Sequence, residues 1–347
     1  MNFESLKRTP RLLVSVELAP LQGTRFQPTG FPDIGAATYD APDGKKMLLV
    51  ESTQSMANRM EAACWDSARD KPTQPLEGLP FVAVNDQDGK PLTNSIVEAH
   101  RINSAYILNA TDSEIDKVFT EKFGKKGKDK NETRGFGNAE RQELVSLIFK
   151  YDTATLLHGV FMPLYAGGRC RIPRALSAFV EAEGVSEAVS GGVKNDVVNP
   201  SKSEGKTAEE GFGNIPYARS EYTGQMKAYF SLDLSQIRNY GLGEDAEKLL
   251  IGLALYKIRR VLDDGLRFRT ACDLKAGKIT VNAPEGFSLP SQKDLSESLP
   301  GLLKNCKDSL GGSPSVTATY VQGKKNKKSK DQEEEQGESD EKDEAEE

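Results

Sequence analysis

The sequence predicts an α+β protein, with a split sheet carrying strand, helix and strand at each end of the chain and interrupted by large polar insertions. Three observations predict it. Residues 11–18 and 225–234 alternate apolar and polar positions with a period of two, the signature of half-buried strands. Apolar residues recur at helical spacing directly after strand-like runs. Two long stretches rich in lysine, glycine, serine and asparagine carry no period at all.

The first strand, residues 11–18, places Leu12, Val14, Val16 and Leu18 on one face and Ser15 and Glu17 on the other. A second strand is expected over residues 47–50. Ser52 then serves as N-cap of a helix in which Met56, Met60 and Cys64 share a face. Residues 121–134 form the first polar excursion. After another strand-like run at 175–180, residues 190–213 form the second. Residues 225–234 return as a strand with Met226, Ala228, Phe230, Leu232 and Leu234 on one face. A helix over residues 245–263 is apolar around much of its surface through Leu249, Leu250, Leu253, Ile258 and Leu262. Gly265 closes it, and residues 266–272 form a strand. This order suggests a split, ferredoxin-like, RNA-recognition-type sheet.

The domain organisation follows from charge. Residues 331–347 hold eleven of the chain's 52 acidic residues and one lysine, and five lysines between Lys324 and Lys330 precede them. No aromatic or branched apolar residue accompanies these blocks, so residues 323–347 are expected to be a disordered charged tail. Residues 1–322 are expected to form one domain with insertions near 121–138 and 190–214. That body is close to neutral, so any nucleic-acid site has to arise from local clustering of basic residues. No apolar run reaches the length of a membrane span and the N-terminus has no signal-peptide pattern, which points to a cytoplasmic protein without membrane partners. Cys64, Cys170, Cys272 and Cys306 are widely spaced and lack metal-ligand spacing, so buried free thiols are expected, with no cofactor and no metal.

Several segments have chemistry suited to RNA. Gln22, Thr24, Arg25, Phe26 and Gln27 leave the first strand in a loop that offers a cation, amides and a ring, although Phe26 could equally cover the core. Arg267 and Arg269 share a strand face opposite Phe268 and could grip successive phosphates or pair with surface carboxylates. Arg169, Arg171 and Arg174 repeat the theme. Lys194 and Asn195 lie in a glycine-rich turn that lacks the glycine spacing of a nucleotide-hydrolysing loop, and Phe212 sits in one of two Gly-Phe-Gly-Asn repeats. Arg59, His100, Arg101 and Asn103 complete the candidate RNA contacts. His100 and His158 are the only histidines, and either could act as a general acid or base, but no partner is evident from spacing. Asp33 and Asp196 are the better candidates for a metal-assisted cut, although no acidic pair marks a two-metal site.

Taken together, seven strings resemble the CRISPR-associated RAMP superfamily proteins of type I-U (now I-G) systems, the Cas-seven-type backbone subunits. They are Arg25-Phe-Gln-Pro-Thr-Gly-Phe-Pro-Asp33, Leu49-Val-Glu-Ser-Thr-Gln-Ser-Met-Ala-Asn-Arg59, Glu98-Ala-His-Arg-Ile-Asn103, Leu157-His-Gly-Val-Phe161, Ile172-Pro-Arg-Ala-Leu-Ser-Ala-Phe179, Ser190-Gly-Gly-Val-Lys-Asn-Asp196 and Gly265-Leu-Arg-Phe-Arg-Thr-Ala-Cys-Asp-Leu274. The resemblance implies a modified RNA-recognition-motif palm with insertions as fingers and thumb. It also implies that copies of the chain stack along a CRISPR guide RNA within a Cascade complex, beside other Cascade subunits. The guide would pair with a target DNA strand, and a separate helicase-nuclease would degrade it, so the chain itself is expected not to be an enzyme. A RAMP endoribonuclease using His100 or His158, and a single-strand RNA-binding module that does not polymerise, are the alternatives.

Overall fold

The computed structural model describes residues 3–31, 35–126, 136–194 and 215–322. The strands β1 (Arg11–Pro20), β2 (Thr38–Asp40), β3 (Lys46–Glu51), β4 (Leu176–Lys194), β5 (Ile215–Asp233), β6 (Arg267–Arg269) and β7 (Cys272–Ala283) form one sheet in the order β6-β7-β1-β5-β4-β3-β2. Every neighbouring pair in it is antiparallel. Alternation in β1 delivers Leu12, Val14, Val16 and Leu18 to the core, and β5 delivers Met226, Ala228, Phe230 and Leu232 opposite them in register. The other face stays polar. It carries Ser15, Glu17, Glu181 and Lys227, interrupted by Phe179 stacked on Tyr229 with ring centroids 5.1 Å apart.

Helix α1 (Thr53–Ala62) begins where β3 ends. The Ser52 hydroxyl accepts from the Ser55 N–H at 3.2 Å, the N-cap expected from the sequence. Between α1 and β4 the chain builds a lobe from α2 (Glu114–Phe123), α3 (Asn138–Tyr151) and the single turn α4 (Thr155–His158). Phe119 meets Phe123 and Tyr165 edge-on at 5.6 Å inside it. A second, three-stranded sheet joins Val82–Asn85 to Pro91–Asn94 and to Val316–Thr319. Helix α5 (Glu244–Asp264) lies between the main sheet and α6 (Gln292–Asn305), which explains why it is apolar nearly all round. At Gly252 an added Cβ would stand 2.9 Å from Leu302, so the glycine permits the close approach of α5 and α6.

The expected strand over residues 266–272 is two strands instead. The chain turns at Ala271, whose φ is +58°, and returns as β7, which pairs with β1 and has few apolar residues to mark it. The polar excursion near residue 190 begins as strand, since β4 and β5 continue as one hairpin through Lys194 and Ile215. The glycine-rich residues 195–214 and the tail from 323 onward lie outside the described residues. All four cysteines are buried and free. Among the described residues no helix is long and apolar enough to cross a membrane.

The sheet curls. A loop from β1 runs across its open side: the Thr29 N–H donates to the Val50 carbonyl at 2.9 Å near the end of β3, and the Gln27 N–H reaches Cys272 Sγ at 3.4 Å on β7. Arg269 of the far edge strand then meets Glu51 at 2.7 Å. Strands remote in sheet order are thereby joined.

Candidate nucleic-acid interface

The site is built around α4 and the short strands that follow it. Val160 and Phe161 pair with Ile172 and Arg171, and Gly159 makes the approach possible. With φ of +77°, a Cβ there would lie 2.7 Å from the Ile172 carbonyl oxygen and 3.0 Å from the Arg174 nitrogen. The pairing sets Phe161 opposite Arg171, both exposed. Next to them the Arg174 guanidinium hydrogen-bonds the side-chain carbonyl of Gln54 on the first turn of α1.

These residues border a cavity of about 870 Å³ that also takes in His100, Asn103 and His158. Arg171 and Pro173 are shared with a second hollow of about 590 Å³ that contains Arg141 and Arg169. Arg141 and Pro173 are shared in turn with a third, of about 480 Å³, beside Arg11. The three form one groove with an arginine at each step. Among the described residues Arg171 and Arg141 form no ion pair, and Arg11 is held by Asp233. Exposed guanidiniums such as those of Arg171 and Arg141, spaced along a groove, suit a polyanion's phosphates.

Beneath the groove lies a buried polar cluster. Arg101 grips Glu61 with both ends of its guanidinium, at 2.7 and 2.8 Å, and both side chains are almost fully enclosed. Burial pushes the Glu61 carboxyl up, while Arg101 and Lys257 pull it back down. Asp152 accepts from the Thr155 hydroxyl at 2.6 Å and is likewise pushed up by burial. Among the described residues the Lys257 ammonium has no hydrogen-bond partner, and neither has either ring nitrogen of His158. Burial holds His158 well below its ordinary pKa of 6.5, and Lys257, Arg101 and Arg174 add to the effect.

The depressed His158 pKa has a sign that can be tested. As pH falls through 6.5 the unfolded chain takes up this proton before the folded one, so the stability His158 contributes is present above 6.5 and lost below it. Glu61 and Asp152, shifted up, act in the opposite sense. Comparison with His158→Leu isolates the histidine. In urea titrations between pH 8 and 5, the wild type is expected to lose ground to the variant by up to about 1.4 kcal/mol per pH unit below 6.5. A difference that does not change with pH would show that His158 is protonated alike in both states.

The structure sorts the residues singled out from sequence. It brings His100, Asn103, Arg171 and Arg174 to one cavity and Arg169 to the adjoining hollow, where Arg169 also donates to the Ala166 carbonyl at 2.8 Å. Gln22, Thr24 and Arg25 lie elsewhere, in a hollow with Asp273 and Glu221, and Arg25 pairs with Glu221 at 2.7 Å. Phe26 is corrected: it is 1% exposed and bridges to Tyr222, because its ring covers the core. Arg101 borders the same cavity as His100 and Asn103, with its guanidinium engaged by Glu61. Arg59 and Arg269 both bind Glu51, and Arg267, on the same face as expected, is exposed with Asp273 3.6 Å away. Of the expected phosphate-gripping pair, Arg269 is therefore engaged within the fold, whereas Arg267 stays exposed. Lys194 is the last residue of β4, and Asn195, Phe212, Asp33 and Asp196 lie outside the described residues.

Sequence reading missed Arg141, Gln54 and Phe161. Arg141 sits on a helix whose pattern marks only its buried side, so nothing local signals that its exposed face borders Arg171. Among the described residues, no three His, Cys, Asp or Glu side chains converge to hold a metal ion.

A family model described as CRISPR-associated protein GSU0053 (Cas_GSU0053) matches residues 12–187, half of the chain. The chain belongs to the CRISPR-associated GSU0053 family. The matched segment of this GSU0053-family protein runs from β1 into β4 and contains α1, the cavity and the Arg169 to Arg174 segment. No curated protein matches it. Among solved structures, it is similar to a chain described as "CRISPR RNA-guided surveillance complex, pre-nicking", at 13% identity over 78% of this chain and 75% of that one, with a TM-score of 0.40. A second similar chain, described as "CRISPR RNA-guided surveillance complex", has 12% identity over 86% and 84%, with a TM-score of 0.34.

Proposed function

We propose that this CRISPR-associated protein is a guide-RNA-binding backbone subunit of a type I-U/I-G Cascade complex, with copies stacking along the guide and presenting it to a target DNA strand. The observation that carries the reading is the continuous groove in which Arg174, Arg171, Arg169 and Arg141 follow one another. Such contacts hold a strand by its phosphates and leave sequence reading to base pairing. The strand order β7-β1-β5-β4, with α1 and α5 on the connections, supports reading the sheet as an RNA-recognition-type palm. In this reading the long β4–β5 hairpin is the thumb, and other Cascade subunits and a helicase-nuclease are partners. The protein itself is non-catalytic. That part of the proposal is supported by His100 and His158, neither of which is hydrogen-bonded to a carboxylate among the described residues.

Salt-dependent binding tests the proposal. With Arg141→Gln and Arg171→Gln together, affinity for several unrelated single-stranded RNAs should fall alike, and the slope of log affinity against log salt should shrink by about 0.7 for each phosphate no longer engaged. Unchanged affinity and slope in a folded double variant would remove the groove from the RNA path. Sizing on guides of increasing length separates a polymerising subunit, whose complexes grow stepwise, from a lone binding module.

A further inference from the structure

Over much of the described surface arginines face carboxylates, as Arg25 does Glu221, Arg69 does Asp66 and Arg260 does Asp264. Those of the groove differ. Arg141, Arg171 and Arg174 form no ion pair among the described residues, although they border adjoining hollows. Like charges gathered without counter-charges raise the local potential, so the groove attracts a polyanion. The chain carries one of its own. Residues 331–347 hold eleven carboxylates against one lysine, beyond a body that is close to neutral. Were all five lysines of residues 324–330 to pair with them, five carboxylates would remain uncompensated.

The last described residues bring this segment to the groove. Val316–Thr319 is an outer strand of the small sheet, and the Tyr320 N–H continues it by donating to the Asn85 carbonyl at 2.9 Å. The Tyr320 ring meets Tyr106 edge-on, with centroids 5.0 Å apart. Tyr106 belongs to the one-turn helix Ala105–Leu108, directly after the turn Arg101–Asn103, whose Arg101 and Asn103 border the cavity. The Cα atoms of Asn103 and Tyr106 are three residues apart and so within about 11 Å, which sets the chain's exit beside the cavity end of the groove. The nine residues from 323 to 331 extend up to about 30 Å, enough to carry the acidic run to Arg174 and Arg171 and on along the groove.

We propose that residues 331–347 occupy the arginine groove when RNA is absent, as an internal polyanion that incoming RNA must displace. The inference rests on reading the groove as a polyanion site. A segment tethered this closely has an effective concentration of about 1 mM, so contacts with a Kd of only about 0.1 mM weaken RNA binding about tenfold. Short RNAs are held off, whereas a long guide displaces the segment through the larger number of phosphates it engages.

The test compares the full-length chain with a full-length variant in which each acid of residues 331–347 is replaced, Asp→Asn and Glu→Gln. A labelled peptide of residues 331–347 is titrated into that variant without RNA. It should bind with a Kd of about 0.1 mM and more weakly as salt rises. Replacing Arg141→Gln and Arg171→Gln together, at exposed positions outside the core, should weaken it at least about tenfold. A short single-stranded RNA should bind the amide variant about tenfold more tightly than the wild type, and that gain should disappear when the two arginines are also replaced. Peptide bound equally well without the arginines would seat it elsewhere, such as on the lysines of residues 324–330, and overturn the proposal. A gain that persists without them would overturn it too, since a change in net charge alone gives that result. No peptide binding and no gain, with RNA still bound, would overturn the role of residues 331–347 and leave that of the groove. Failure of peptide and RNA alike would overturn both readings.

Discussion

Replacing Glu61 by alanine is expected to remove about 3–5 kcal/mol of folding stability, the cost of taking one partner from a buried ion pair. Glu61 is 2% exposed and is gripped at both oxygens by Arg101. Its loss leaves Arg101 enclosed beside Lys257, whose ammonium has no hydrogen-bond partner among the described residues, with Arg174 also close enough to act on His158. Three cations around a neutral histidine then have Asp152 as the buried carboxylate left among them. Arg101→Met should cost less, because Glu61 keeps Lys257 as a counter-charge and its raised pKa eases protonation. Urea unfolding of the two variants at pH 7 measures the asymmetry. A Glu61→Ala loss below about 1 kcal/mol, the size of an exposed pair, would show that the cluster is hydrated and that its burial has been misjudged.

What the sequence disclosed follows the range of the interaction involved. Strand β1, the start of α1 and the length of α5 were legible because each is written in consecutive residues: alternation in Leu12 to Leu18, a capping Ser52, and apolar residues around the whole of α5. Strand β7 was not, because Lys275, Gly277 and Lys278 interrupt its apolar positions and its place in the sheet is set by pairing with β1, more than 250 residues earlier. The same limit governs the site. Arg169, Arg171 and Arg174 were visible as a local cluster. Their continuation to Arg141, and the bond from Arg174 to Gln54 on α1, depend on the lobe folding against the sheet. Arg101 shows the same limit from the other side, since the carboxylate that engages it stands forty residues away at Glu61.

Arg59 and Arg269 extend that lesson and give the second large effect. Glu51, 0% exposed at the end of β3, receives Arg59 at 3.1 Å and Arg269 at 2.7 Å, together with the Ser55 hydroxyl. Arg59 also donates to the carbonyls of Arg267 and Phe268, at 3.1 and 2.9 Å, and lies 4.6 Å from the centre of the Phe268 ring. Arg269 donates in addition to the Thr29 hydroxyl at 2.7 Å. The bonds from Arg59 to the Arg267 and Phe268 carbonyls and from Arg269 to Glu51 cross between β6 and the α1 side of the curled sheet, so the carboxylate clasps elements that no strand pairing connects. Glu51→Ala is expected to cost about 3–5 kcal/mol by stranding two arginines. Arg59→Ala and Arg269→Ala should each destabilise the fold, and each should cost less when Glu51 is already alanine, as a double-mutant cycle would record. Denaturant midpoints measure this without RNA. If both arginine variants instead keep wild-type stability and lose RNA affinity with a smaller salt slope, the clasp is wrong and their charges face phosphate after all.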